Sequence, residues 1–308
     1  MRNGLTIVAG MLVLGLLPLV LSSYHLGIVS KMLIFAIFAT SLNLKLGYTG
    51  LASLGHAAYF GMAAYAVGLL GLAGFTGFVF QFGAGLAAAL LTAALFGLIA
   101  LRAQSAYFLM ITLAMSQVLW GIAFGWRSFT GGDDGIAGVP PPVLGGYVID
   151  GVTSFYYLAV VIFVVSLSLV WLMVGSHFGR ILVGIREKEL RMEVLGYNVW
   201  LYKYAVFVIA GGLAGISGIL FAHYTGFVAP SYLSVVMSAM VLIMVILGGP
   251  GTLFGPALGA IIIVFLENAV SAYTERWLMI LGAVYVLATL FAPYGLLGKR
   301  WRAKGGPS

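Results

Sequence analysis

The segment GRILVGIREKELRMEVLGYN, from Gly179 to Asn198, carries the densest group of charges in the chain. Its charged residues include Arg180, Arg186, Glu187, Glu189, Arg191 and Glu193, and it ends near Gly196. The spacing of apolar residues predicts one helix from Arg180 to Gly196, because glycine is a natural left-handed terminator.

Apolar residues divide this predicted helix into two faces. Placed at about 100° per residue, one stripe holds Ile181, Ile185, Met192 and Leu195. The opposite side holds Val183, Leu190 and Val194. Glu187 and Arg191 are spaced for an ion pair. A helix with two apolar faces needs a partner on each side. One side packs on the membrane-embedded part of the chain; the other lies in the membrane interface or enters a groove on another protein.

A second motif, LGYTGLASLGHAAYFGMAAY, runs from Leu46 to Tyr65 and is rich in small residues. Such a helix packs backbone to backbone, or it lines a pathway. His56 lies within it, with Asn43 and Lys45 just upstream. A polar residue at membrane depth is a functional candidate. A hydrogen bond to a neighbouring helix is the simpler role for His56, and the pattern favours that role.

The third motif is the acidic turn TGGDDG, which contains Thr130, Gly131, Gly132, Asp133 and Asp134. Aspartates in such a turn cap backbone amides, or they dock a soluble partner. The turn has too few oxygen ligands at alternating positions for a calcium loop.

Sequence patterns of catalysis are missing. The chain has no G-x-x-x-x-G-K-[ST], H-E-x-x-H or G-x-S-x-G pattern and no cysteine. Only one carboxylate, Glu267, lies inside a predicted span, near its outer end. We therefore expect neither an enzyme nor a proton-coupled pump, and no cofactor in this chain.

The composition predicts the kind of structural element that holds these motifs in position. The chain has 308 residues, of which 62% are hydrophobic and 7% are charged, and its mean hydropathy is +1.12. Soluble domains carry roughly a quarter charged residues, and disordered chains have low hydrophobicity. The sequence therefore predicts an all-α polytopic membrane protein with a single transmembrane domain over residues 1–308, in contact with the lipid bilayer.

Apolar segments long enough to approach a crossing predict about ten transmembrane helices. They are Gly4–Ser22, Ile28–Leu44, Ser53–Leu70, Phe78–Leu101, Ala106–Trp126, Ser154–Gly175, Tyr204–His223, Tyr232–Leu247, Pro256–Ser271 and Trp277–Ala292. The third, eighth and ninth are short, and we expect them to be tilted, broken or re-entrant.

Basic residues set the expected orientation. With both termini in the cytoplasm, 12 of the 15 Lys and Arg residues lie inside, as the positive-inside rule requires. Residues 127–153 then form an outside loop, residues 176–203 a cytoplasmic segment, and residues 293–308 a basic cytoplasmic tail. Because topology accounts for the net charge of +7, we expect no nucleic-acid partner.

A short internal repeat relates the two halves of the chain. Leu46-Gly47-x-x-Gly50 recurs as Leu247-Gly248-x-x-Gly251, and both copies fall in predicted inside loops. The same offset superimposes the first four predicted spans on the last four, with the same orientation. This predicts a parallel duplication of the kind found in transporters, unless two glycine-rich loops agree by chance.

Taken together, four motifs resemble the LivM-type permeases, the membrane subunits of ABC importers for branched-chain amino acids. They are NLKLGYTGLASLGHAAYFGMAAY, TGGDDGIAGVP, the GR…IREKE…LG…K segment and GGPGTLFGPALGA. They occur in the family's order and cover about residues 28–292. The Ala-Ala pair typical of the family's cytoplasmic loop is absent, since Val194 and Leu195 follow Glu193.

The resemblance implies a function and an assembly in the bacterial inner membrane. The chain would form half of the solute pathway beside a second related permease subunit. Two ATP-binding subunits, which hold ATP and Mg, would dock on the Arg180–Gly196 helix, and a periplasmic solute-binding protein would dock on the outside loop. The implied coupling residues are Arg180, Arg186, Glu187, Glu189, Arg191, Glu193 and Gly196.

For the solute pathway, the implied candidates are Asn43, Tyr48, Ser53, His56 and Tyr59. Two alternatives to a branched-chain amino-acid importer remain. One is an ABC permease for urea, amides or another small organic solute, and the other is a stand-alone secondary transporter.

Overall fold

The structure, a computed structural model, describes residues 15–103, 105–271, 279–280, 282–283, 286 and 295–302. Its helices are α1 (Ser23–Thr49), α2 (Ala57–Leu72), α3 (Phe78–Ala100), α4 (Ser105–Gly125), α5 (Val152–Gly175), α6 (His177–Glu187), α7 (Glu189–Val194), α8 (Val199–Thr225), α9 (Val235–Gly248), α10 (Gly255–Ser271) and α11 (Gly295–Arg302). Short 3-10 turns cover Leu17–Leu19, Gly132–Asp134 and Pro230–Leu233, and one turn of helix covers Arg127–Thr130.

Within the described residues, five helices are long and apolar enough to cross a membrane: α1, α3, α4, α5 and α8. In α1 and α8, 72% and 78% of the most apolar window is buried inside the protein, against 22–33% in the other three. We conclude that α1 and α8 form the centre of the bundle. The other three turn large apolar side chains outward, as a lipid-facing or subunit-facing helix does. The chain is an all-α polytopic membrane protein.

Three apolar helices are shorter, as the short third, eighth and ninth predicted spans suggested. Helices α2, α9 and α10 have 16, 14 and 17 residues. At about 1.5 Å per residue, α9 is only about 21 Å long, less than the roughly 30 Å of bilayer hydrocarbon. Two of these helices follow a stretch that is not α-helical. Residues 50–56 precede α2, and residues 229–234, which contain the 3-10 turn Pro230–Leu233, precede α9. Such backbone is tolerated at membrane depth only where protein surrounds it.

The bundle has two ends with different loops. We call the end that carries residues 47–56, 176–203 and 249–254 the joint end, and the end that carries residues 127–151 and 226–234 the loop end. At the loop end, strand β1 (Ile136–Ala137) pairs antiparallel with β4 (Phe227–Val228), and β2 (Val143–Leu144) forms a hairpin with β3 (Tyr147–Val148). The first pair fastens the long loop to the end of α8.

Several sequence predictions lie outside the described residues. They are most of the first span, Gly4–Ser22, all but a few residues of the tenth span, Trp277–Ala292, and both ends of the basic tail, residues 293–308. The described residues therefore support a polytopic bundle, while the count of ten spans remains a prediction.

Candidate functional site

The charged segment forms two helices, so the prediction of one continuous helix from Arg180 to Gly196 was wrong. The backbone is extended at Lys188, with φ −155° and ψ 98°, and this residue separates α6 from α7. The break lets α7 fold back over α6, where the thioether of Met192 covers Gly184. A Cβ at Gly184 would lie 2.7 Å from the Met192 sulfur. Gly196 follows α7 with φ +85° and ends the segment as predicted.

The packed face of the segment agrees with three of its four predicted members. Ile181 and Ile185 are buried in one cluster with Val199, and Met192 packs against that cluster. Leu195 is 64% exposed, because the break at Lys188 rotates α7 away from the predicted stripe. Among the described residues, Glu187 and Arg191 form no ion pair; Glu189 instead bonds Lys203 at 2.6 Å, which ties α7 to α8.

The opposite face leaves an apolar patch uncovered. Leu190, Val194 and Leu195 are 77%, 87% and 64% exposed, and exposed Arg191 and Glu193 lie between them. We call these three residues the α7 patch. Exposed apolar side chains grouped in this way are typical of a contact with another protein or with a membrane surface.

Arg186 connects the segment to the membrane bundle. Its guanidinium donates a hydrogen bond to the backbone carbonyl of Gly47, in the last turn of α1. A Cβ at Gly251 would lie 2.9 Å from the Arg186 guanidinium. The side chain thus lies where the two L-G-x-x-G motifs come together, so a movement of α6 would act directly on that point.

The two copies of the L-G-x-x-G motif form contacting joints, the α1–α2 joint and the α9–α10 joint. Asn43 fastens them: its amide nitrogen donates to the Thr252 carbonyl at 2.8 Å, and its amide oxygen accepts from the Gly251 N–H at 2.8 Å. Gly47 approaches Gly251 so closely that a Cβ on Gly47 would overlap the Gly251 backbone. Both joints therefore need glycine for close contact.

All five predicted pathway residues are buried. The exposed fraction is 5% for Tyr48, 1% for Ser53 and zero for Asn43, His56 and Tyr59. Ser41 Oγ lies 2.7 Å from His56 Nε2, and the His56 ring stacks on Phe38. The structure thus gives His56 the helix-to-helix hydrogen bond that the pattern favoured, and it places Ser53 and His56 on the irregular stretch before α2. Their role in a pathway stays a prediction.

One buried residue of this cluster was missing from the predicted site. Lys45 is fully buried in α1, and its ammonium lies 4.9 Å from the ring centre of Tyr59 and 4.4 Å from that of Phe207. Aromatic faces attract cations. Within the described residues, Lys45 Nζ, His56 Nδ1 and the Tyr59 hydroxyl have no hydrogen-bond partner. In the sequence, a lysine so close to a long apolar run could have marked Lys45 as a site candidate.

The acidic turn lies at the loop end, with its members in different environments. Thr130 is buried and donates from one hydroxyl to the carbonyls of Ala123 and Trp126, at 2.6 and 2.7 Å. Gly131 and Gly132 have positive φ, which non-glycine residues rarely adopt. Asp133 and Asp134 are exposed and stand available to a partner. In the part of the chain that the structure describes, no group of three His, Asp or Glu residues could hold a metal ion.

Known proteins resemble this chain over most of its length. Residues 24–289 match the family described as branched-chain amino acid transport system / permease component. The high-affinity branched-chain amino acid transport system permease protein LivM of Salmonella typhimurium is 28% identical over 305 residues, which cover 91% of this chain and 71% of that protein. LivM of Escherichia coli gives the same values.

A second permease type is also related. The high-affinity branched-chain amino acid transport system permease protein LivH of Escherichia coli is 28% identical over 142 residues, 46% of each chain. No solved structure matches. Because the family match extends over most of the sequence, the chain belongs to the permease components of branched-chain amino acid transport systems.

Proposed function

We propose that this chain is a permease subunit of an ABC importer for branched-chain amino acids. In the proposed assembly, a periplasmic binding protein delivers the solute and ATP hydrolysis in partner subunits drives its import. The observation that carries the proposal is the α6–α7 segment, which has both features that coupling requires: a surface for a partner and a bond to the membrane bundle. Its α7 patch is free for a partner, and its Arg186 binds the carbonyl of Gly47 in the bundle.

The proposed coupling route runs through named contacts. A partner bound to the α7 patch would move α7. Because Met192 packs on Gly184, α6 would move with it. Arg186 passes the movement to Gly47, where Asn43 holds the α1–α2 joint against the α9–α10 joint. Repacking at that point changes α1, α2, α9 and α10 together. A change of access from one side to the other requires a joint movement of this kind.

The proposed assembly contains two permease subunits and two ATP-binding subunits, with ATP and Mg bound by the latter. A second permease is supported by the likeness to both LivM and LivH, two permease proteins named for one kind of transport system in Escherichia coli. The coupling residues remain Arg180, Arg186, Glu187, Glu189, Arg191, Glu193 and Gly196. Asp133 and Asp134 belong to the proposed docking surface for the binding protein.

The proposed topology has ten crossings in the bacterial inner membrane, with both termini in the cytoplasm. Contacts across the described bundle support the predicted sides. Gly47, Arg186 and Gly251, all predicted inside, meet at the joint end. The outside strands β1 and β4 pair at the loop end. The parallel duplication is likewise a proposal, supported by the contact of its two L-G-x-x-G joints.

Purification from native membranes in mild detergent, followed by mass spectrometry, tests the assembly. We expect recovery with a second permease and ATP-binding subunits. The variant L190D/V194D should lose the ATP-binding subunits, because it places charges in the α7 patch. The control V148D, which alters a 44% exposed apolar residue at the loop end, should retain them. A chain recovered alone that still transports after reconstitution would identify a secondary carrier.

Reconstituted complex then tests solute and coupling. We expect ATP-dependent uptake of leucine. If urea or an amide competes for uptake and leucine does not, the alternative solutes are favoured. R186M should lower ATP-driven uptake while the subunits stay associated, since it removes only the bond to Gly47. R102M, an exposed arginine at the same end, serves as the control. Unaltered coupling in R186M would count against the proposed route.

A further inference from the structure

At the loop end, an open cavity of about 590 Å³ lies between α1, α4, α9 and α10. Its volume falls in the range of small-molecule sites. The cavity has charged groups from three parts of the chain, Lys31, Glu267 and Asp133, and apolar walls that include Trp120, Phe124 and Met237. None of these residues belongs to the predicted pathway, whose members are buried at the joint end.

The charged groups of the cavity are placed to exchange partners. Lys31 Nζ bonds Glu267 Oε1 at 3.0 Å, and both side chains are almost one-fifth exposed. The second carboxylate oxygen, Oε2 of Glu267, is buried and has no hydrogen-bond partner within the described residues. A buried acceptor without a donor is costly, so a ligand that brings an N–H donor would be stabilised there.

The start of α9 adds a second feature for an anion. Ser234 caps this helix by accepting a hydrogen bond from the Met237 N–H at 3.3 Å. The preceding amides, of Val235 and Val236, have no partner within their own helix, as in any first helical turn. Ser234, Val236 and Met237 line the cavity. Helix N-termini attract carboxylates, and transporters use interrupted helices in this way.

From this juxtaposition we propose that the cavity is a recognition site for a zwitterionic α-amino acid with an aliphatic side chain. Lys31 and the start of α9 bind the carboxylate of the ligand, and Glu267, with Asp133 at the rim, binds the ammonium group. The apolar walls hold the aliphatic side chain. A zwitterion replaces the Lys31–Glu267 bond without a change in net charge, whereas a neutral amide or urea offers no carboxylate to Lys31. The inference rests on the proposed function and adds the site at which this chain would bind the solute.

Photo-leucine, a leucine analogue that carries a diazirine, tests the site in the reconstituted wild-type complex. We expect light-dependent labelling of residues such as Trp120 or Met237, mapped by mass spectrometry. Leucine should compete for the label, and leucinamide should compete much less because it lacks the carboxylate. Labelling that leucine does not reduce, or that maps only elsewhere, would overturn the proposal.

The variant K31M/E267M removes both charges together, so that neither is left buried and unpaired. We expect uptake of leucine and labelling to fall about tenfold or more. The control N268L alters the next residue on α10, whose side-chain amide donates to the Val264 carbonyl of its own helix, and should behave like wild type. If K31M/E267M does not fold, M237W fills the cavity from its apolar wall and should block labelling by itself.

Different outcomes would refute the cavity site and the proposed function. Leucine uptake by the wild type with unaltered uptake and labelling in K31M/E267M would overturn the cavity site and leave the importer intact. A wild-type complex that takes up no leucine would refute the proposed function, and the cavity site would be refuted with it. Loss of labelling together with loss of leucine uptake in an otherwise folded variant would support the site.

Discussion

The joint end and the loop end of the bundle use polar side chains in opposite ways. At the joint end, Asn43 directs both ends of its amide to backbone groups of the neighbouring joint, and Lys45 is enclosed by aromatic rings. At the loop end, Lys31 and Glu267 face an open cavity and bond only each other among the described residues. The Asn43 amide thus connects two parts of the joint end, whereas the Lys31–Glu267 pair faces the open cavity at the loop end.

This difference changes how polar residues in a membrane protein should be interpreted. A buried polar residue near a helix joint, such as His56, has its hydrogen bond inside the chain. A charged residue at a cavity wall has a partner that a ligand can replace. Depth in the membrane alone does not separate the two roles. The variants below test the contrast through stability, which should fall more when the contacts of Gly47 and Asn43 are broken than when the Lys31–Glu267 pair is replaced.

The largest effect is expected from G47A. The added Cβ would overlap Asn43 and the Gly251 backbone, so the two joints must separate, at a cost of about 3 kcal/mol or more. Unfolding in mixed micelles measures this. The control is G121A, where a Cβ on α4 has nothing within 4 Å; alanine there should stabilise the helix by roughly 0.5–1 kcal/mol.

N43L should follow, with a loss of about 2–4 kcal/mol. It removes two hydrogen bonds and leaves the Gly251 N–H and the Thr252 carbonyl without their partner. The matched control is N268L, which loses a single bond within one helix and should lose less than about 1 kcal/mol. Equal losses in the two variants would mean that Asn43 does not fasten the joints.

Smaller changes are expected at the loop end. E267M alone leaves Lys31 without its carboxylate and should cost about 1–2 kcal/mol, a value reduced for partial exposure. K31M/E267M should recover most of that loss, because an apolar pair replaces an ion pair at little cost. Thermal unfolding of the single and double variants checks the prediction. A double variant as unstable as the single one would assign the ion pair a structural role.

The smallest effect is expected from E189Q, which breaks the bond between Glu189 and Lys203 on the surface of the coupling segment. The Glu189 side chain is 41% exposed, and exposed pairs contribute less than about 1 kcal/mol. The difference from wild type should vanish in roughly 1 M salt, where the Debye length is about 3 Å. A loss that persists at high salt would contradict a solvent-screened pair.

Local sequence features predicted much of this fold. Apolar run lengths predicted helices α3, α4, α5 and α8, and Gly196 follows its helix in left-handed conformation as predicted. The break at Lys188, which brings Met192 over Gly184, was not predicted. Helical spacing within one segment contains no information on such a contact.

The candidate site was harder to predict than the helices. Asn43 was chosen as a polar residue beside a small-residue helix, but its bonds are made to the second joint, far away in sequence. Lys31 and Glu267 each looked like a residue near the end of a span. Only the fold places them together with α9 around one cavity. Single-chain patterns therefore predicted which residues are unusual and not which of them meet.

The Asn43–Gly251 bond has a consequence for how the protein is made. Its two residues are 208 positions apart, so at about 5–20 residues per second the ribosome needs roughly 10–40 s to supply the partner. During that interval α1 is complete while the amide that fastens it has nothing to bind. The N-terminal half therefore enters the bilayer before its joint can close, and final assembly must wait for late synthesis. Cotranslational insertion factors would therefore encounter an intermediate in which the two joints are not yet in contact.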